Sequence, residues 1–175
     1  MAKTYNRLAL GVRSLSDNLS YFALATPEGA SQTFKRNWPV VITSGYAVEA
    51  ANPVTALYGF AGEDAHNAAA GAYTINVYPV TSDLVIEANF LAASAANNVL
   101  AAADFGGSFR LAKHADALGT GKAGWYVEDT GSTTAVKIIS FRSSHVLPNS
   151  EEGEAKAGDT NARIVAKPLA AVVTY

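Results

Sequence analysis

The chain has 175 residues, no cysteine and a formal net charge of −2, which suits one domain, or one with a small companion, and excludes disulfide staples, thiolate metal sites and cysteine nucleophiles. Its balance is slightly acidic, with 13 Lys and Arg against 15 Asp and Glu, so the footprint of a general nucleic-acid binder is missing. Only 16% of residues are charged while 49% are hydrophobic, a pattern that suits a protein packed against neighbours rather than an isolated colloid.

Residues 1–36 differ from the remainder of the chain. Leu8, Leu10 and Val12 alternate weakly, and Leu19, Tyr21, Phe22 and Leu24 form a second apolar patch. Polar, turn-prone stretches surround them and end in Thr26-Pro27-Glu28-Gly29. Two readings are open: a strand pair packed on the core, or an arm that orders against a partner. The MAKTYNRLAL start leads into no apolar run of signal-peptide length, and no stretch approaches the roughly 20 apolar residues of a membrane span. The expectation is a soluble chain made in the cytosol, with residues 1–36 as an arm and 37–175 as a β-rich domain.

From Trp38 onward strand signals dominate. Val40-Val41-Ile42 and Tyr46-Ala47-Val48 flank the turn cue Ser44-Gly45. Ala56 to Ala61 predicts a strand, and Tyr73 to Val80 alternates with Tyr73, Ile75 and Val77 on one face. Leu84-Val85-Ile86 is a further apolar run. Gly124 to Val127 and Ala135 to Phe141 flank Asp129-Thr130-Gly131-Ser132 and predict a hairpin. Arg163 to Ala166 and Ala171 to Tyr175 are the last β-prone runs. Residues 99–104 and 65–70 predict short helical turns on their alanine content. The expected fold is mainly β, a small barrel or sandwich in one or two lobes meeting near residue 80.

The chemistry-bearing residues are scattered. His66, His114 and His145 show no metal-ligand spacing, so neither metal nor cofactor is expected. Glu63-Asp64-Ala65-His66 is the most site-like cluster, although a solvated turn explains it more simply. Gly119 to Gly124 spells G-x-G-x-x-G, but no apolar strand precedes it and Trp125-Tyr126-Val127 continues as a strand rather than a helix. Glu151, Glu152 and Glu154 lie in a stretch from Pro148 to Asp159 without calcium-loop spacing. The residues point to no catalytic constellation.

Four stretches in order carry a resemblance. They are Trp38 to Val48 around Gly45; Leu57-Tyr58-Gly59-Phe60-Ala61 leading through an acidic, alanine-rich connection to Tyr73–Val80; Ile86-Glu87-Ala88-Asn89-Phe90; and Gly124 to Thr130 with Ala135 to Phe141 after it. Together they resemble the capsid decoration, or cement, proteins of tailed bacteriophages. The resemblance leaves out residues 1–36 and much of the C-terminus, and the acidic stretch near Glu151 has no counterpart in it. It implies a non-enzymatic β protein on the outer surface of an expanded capsid in the virion. Such a protein bridges major capsid subunits and associates with its own copies, as trimers in one arrangement, without contacting nucleic acid or membrane. Tyr21, Phe22, Leu24, Phe34 and Trp38 are the expected partner-binding residues, since buried aromatics dominate interface energy. Two other classes stay open: a tail or minor capsid component, and a carbohydrate-binding module with coplanar exposed aromatics.

Overall fold

A computed structural model describes residues 11–14, 23–92, 100–115, 123–129, 131–140 and 162–174, the first four as backbone only. Among these described residues, eleven strands and two lone 3-10 turns make up the regular structure. The chain is mainly β, as its β-prone runs and turn residues predict.

One sheet contains β1 (Gly11–Ser14), β7 (Leu84–Ala92), β8 (Ser108–His114), β9 (Gly124–Asp129), β10 (Val136–Ser140) and β11 (Arg163–Pro168). Its order is β1-β7-β11-β10-β8-β9, and a further parallel pairing of β7 with β9 closes five of these strands into a barrel. The nine-residue β7 makes this possible by changing partners along one edge. Its first half, Leu84 to Glu87, pairs with β1, and its last residues, Phe90 to Ala92, pair with β9. The opposite edge takes β11.

The second sheet runs β2-β6-β5-β3-β4, from β2 (Leu24–Pro27), β3 (Pro39–Thr43), β4 (Tyr46–Glu49), β5 (Gly59–Ala61) and β6 (Thr74–Pro79). Its two end strands also meet. A bridge joins Glu28 to Ala47, the Gly29 N–H donates to the Ala47 carbonyl at 2.9 Å, and the Gln32 side chain accepts the Glu49 N–H. The β3–β4 hairpin is tight because Ser44 and Gly45 both adopt positive φ, 50° and 84°, the geometry that matches strand twist in a two-residue turn.

Two apolar clusters result. The barrel is filled by Ile86, Ala88, Phe90, Phe109, Leu111, Trp125, Val127, Val136, Ile138, Ile164 and Ala166, with Phe90 and Phe109 packed edge to face at 5.4 Å. The second sheet encloses Phe34, Val40, Ala47, Ala61, Ile75 and Val77. Strand alternation couples the two. On β5, Ala61 faces the second cluster while Phe60 enters the barrel cluster, and Val40 and Val41 divide in the same way. Gly59 is obligatory at this junction, since a Cβ there would sit 2.3 Å from the Tyr78 carbonyl oxygen. The segment after β4 ties the sheets together. The Asn52 amide pairs with both backbone groups of Lys113, the Val54 N–H donates to the Leu111 carbonyl, and Leu57 bonds the backbone at Val172 and Thr174.

Several expectations are corrected. β9 and β10 do not form a hairpin, because β8 lies between them in the sheet. Residues 65–70 contain no helical turn: Asn67 takes positive φ and Glu28 captures the His66 N–H, so a helical ladder cannot start. The helical turn expected within 99–104 is present, as a 3-10 turn at Ala102–Asp104, where the Asp104 carboxylate accepts the Ala101 N–H at 2.7 Å. Ala170–Val172 is a 3-10 turn leading into a single bridge from Val173 to Leu57, not a strand. Finally, residues 23–36 belong to the folded body, since β2 pairs with β6 and Phe34 is in the second core.

Candidate functional site

Of the expected partner-binding residues, Leu24, Phe34 and Trp38 are described, and they differ in exposure. Phe34 is fully buried at 0% exposure, so its ring supports the core and is not presented to a partner. Trp38 is half-buried and packs against both clusters, with the Lys113 ammonium 4.8 Å from its ring centroid. The same ammonium donates to Glu49 Oε1 at 2.6 Å. Trp38 is therefore a wedge between the two sheets. Leu24 is exposed at 48%. Tyr21 and Phe22 lie outside the described residues.

The cluster Glu63-Asp64-Ala65-His66 is taken apart by its hydrogen bonds. Glu63 accepts the Asn76 N–H at 2.8 Å. Asp64 accepts the Arg36 N–H at 2.8 Å and the Lys35 ammonium at 3.1 Å. The Arg36 N–H, and after it the Lys35 ammonium, holds the Asp64 carboxyl below its ordinary value. A depressed carboxylate contributes stability above its unfolded value and loses it as pH falls through the folded one. Because Asp64 is exposed, that contribution is small. Asp64→Asn is expected to lower stability slightly at neutral pH and to flatten its fall below about pH 4, where the contribution of the carboxylate is already being lost. Urea titrations at pH 3 and pH 7 measure the difference.

His66 instead joins a residue far away in sequence. Its Nδ1 lies 2.8 Å from Glu28 Oε2, and its backbone N–H donates to the same carboxylate at 2.9 and 3.1 Å. Glu28 is 2% exposed, and Tyr73 stacks on the imidazole at 4.1 Å and 5°. A second buried acid, Glu128 on β9, accepts from Arg110 Nε and lies 2.8 Å from His114 Nε2, both on the neighbouring β8. In each case the ring caps a buried carboxylate and ties two segments together. Neither acid is marked by the sequence: Glu28 reads as part of a Pro-Gly turn, and Glu128 as the polar end of a strand.

Among the described residues, no group of three or more His, Asp or Glu could hold a metal ion. Gly119 to Lys122 of the glycine motif lie outside the described residues, while Gly124 begins β9.

The outer surface of β2 and β6 has a distinct character. The register places Ala25 opposite Asn76 and Pro27 opposite Thr74, all four exposed, while Thr26 and Ile75 point inward and are buried. From Asn67 to Ser82 the sequence has no charged residue, and Leu24 to Pro27 has none either. The loop before β6 exposes Ala69, Ala70, Gly71, Ala72 and Tyr73. It is held rigidly, with the Gly71 N–H donating to the Glu28 carbonyl, the Glu28 N–H to the Tyr73 carbonyl, and the Ser31 N–H to the Ala68 carbonyl. Glu28 is thus the knot beneath an exposed, neutral, preorganised surface.

These features define a β protein of two packed sheets, one closed into a barrel, in which the buried acids Glu28 and Glu128 each tie two segments together. No protein-family model, no curated protein and no solved structure matches the chain.

Proposed function

We propose that the protein is a capsid decoration protein, binding the outer surface of an expanded phage head, bridging major capsid subunits and stabilising the shell without catalysing a reaction. The observation that carries this reading beyond the sequence resemblance is the uncharged outer face of β2 and β6, continuous with the Asn67–Tyr73 loop. A rigid face whose own residues are uncharged loses little entropy on docking, and the Glu63 carboxylate beside it already accepts the Asn76 N–H. Weak contacts of this kind become strong when neighbouring copies share one lattice.

The carbohydrate-binding alternative draws less support. Tyr73 is exposed, but one face of its ring is given to His66 rather than held open for a sugar.

The test is co-sedimentation with expanded capsids lacking the protein. Saturable binding in a fixed ratio to the major capsid protein, with a raised shell melting temperature, is expected. The double variant Thr74→Arg, Asn76→Glu, which charges the outer face, is expected to weaken binding at least tenfold while keeping its own melting temperature. Absence of binding by the unaltered chain to any shell form overturns the proposal, and full binding by the charged variant overturns the assignment of the face. Deleting residues 1–36 is no substitute, because it removes β2 and Phe34 together.

A further inference from the structure

We infer that the outer face of β10 and β11 is a docking spot for a carboxylate-bearing segment of a partner protein, held between Lys137 and Lys167. The ladder register sets these two lysines directly opposite each other, and it sets Ser108 of β8 against Lys137 on the other side. All three point away from the barrel, because their alternating neighbours Val136, Ile138, Ala166 and Phe109 fill its interior. Lys137 and Ser108 are exposed, and Lys167 is half-buried. Like charges directly opposed across a strand pair destabilise it, since their Cβ atoms lie only about 4.5–5.5 Å apart.

Elsewhere the fold supplies its cations with carboxylates. Lys35 pairs with Asp64, Lys113 with Glu49 and Arg110 with Glu128. Among the described residues, no carboxylate pairs with Lys137 or Lys167. The β7 acid on this side of the sheet, Glu87, stands opposite Val165, two residues from Lys167, and is 3% exposed. Arg36 also lacks a paired carboxylate among the described residues, but it stands on a turn with no second cation opposed to it. A carboxylate between the two ammonium groups replaces their repulsion by two charge-assisted hydrogen bonds, and the Ser108 hydroxyl offers a third donor. The occupant is a protein segment rather than a nucleic acid. A phosphate backbone is held by a stripe of cations, whereas two opposed lysines on a chain of net charge −2 match one or two acidic side chains. Each exposed contact is weak and screened by salt, so the spot adds to an interface that other contacts complete. The inference does not rest on the capsid reading, because β10 and β11 belong to the barrel and the neutral face belongs to the other sheet.

The probe is an N-acetylated, fluorescently labelled tetraglutamate, titrated with the full-length protein at low salt and followed by anisotropy. Saturable binding that falls as salt is added is expected. Lys137→Gln and Lys167→Gln together are expected to weaken it about fivefold, while Arg36→Gln is expected to leave it unchanged. A second readout needs no ligand. Lys137→Glu converts the opposed pair into an attractive one and is expected to raise the melting temperature by about 1–3 °C at low salt. Three results overturn the inference: no binding by the unaltered protein, equal losses from Arg36→Gln and the double variant, or an unchanged or lower melting temperature for Lys137→Glu. Tighter peptide binding by a Glu151→Gln, Glu152→Gln, Glu154→Gln variant assigns the spot to the chain's own acidic stretch and overturns the partner. Tighter binding of an oligothymidine than of the peptide, lost in the double lysine variant, overturns the choice of a carboxylate. Capsid co-sedimentation of the charged β6 variant reads the other sheet, so the two proposals fail independently.

Discussion

Replacing Phe34 by alanine is expected to lower the stability of the protein by about 3–5 kcal/mol, the range for emptying an aromatic position in a core. Phe34 has no exposed surface and is the largest member of the smaller cluster, whose other members are Val40, Ala47, Ala61, Ile75 and Val77. Those neighbours belong to four strands tied by ladder hydrogen bonds, so they cannot collapse into the space. For a chain of this size each kcal/mol moves the melting temperature by roughly 2–4 °C, and calorimetry should show a fall of roughly 6–20 °C. Phe34→Leu, which retains most of the volume, should lose much less. A Phe34→Ala protein of unchanged melting temperature would show that the ring is not a core residue.

The second large effect is expected at Glu28. Glu28→Ala removes the acceptor of both the His66 N–H and the His66 ring, and leaves those groups partly buried beneath Tyr73. Hydrogen bonds to charged groups contribute about 1.5–3 kcal/mol, and breaking one partner out of a buried pair costs about 3–5 kcal/mol. His66 is about one-third exposed, so water recovers part of the loss and about 2–3 kcal/mol is the expected result. Glu28→Gln keeps an acceptor for the N–H and should lose less than half as much. The effect should be local as well as global. Amide exchange at Gly71 and Ser31, whose N–H groups bond within this knot, should accelerate in Glu28→Ala more than exchange at the barrel residues Ile86 or Val127. Equal acceleration everywhere would mean that Glu28 does not hold the loop in particular.

Legibility in the sequence varies with the range of the interactions involved. The β3–β4 hairpin is legible because Ser44-Gly45 is a local turn code. β6 is legible because Ile75 and Val77 alternate with exposed Thr74 and Asn76. β8 is not. Its sequence, SFRLAKH, interleaves charges with apolar residues, and Arg110 and His114 find their partner only when β9 lies alongside. The illegibility of β8 in turn produces the false β9–β10 hairpin, since two β-prone runs around an Asp-Gly loop look adjacent when nothing is placed between them. The Glu28–His66 pair spans 38 positions, and no periodicity reports a contact of that kind. Leu24 reads as part of an apolar patch and Thr26-Pro27 as the start of a turn, because an edge strand containing proline lacks an apolar run.

The position of β11 bears on the order in which the molecule can be assembled. Every strand of the β2–β6 sheet is complete by Pro79, so that sheet has all its parts early in synthesis. The barrel does not. β11 lies between β7 and β10, and it supplies Ile164 and Ala166 to the interior. β7, β8, β9 and β10 must therefore wait, their inner faces uncovered, until the ribosome has made residue 168. Long-range pairings of this type are slow to form and expose strand edges while they are incomplete. The barrel half of the nascent chain is the half most in need of protection from premature association.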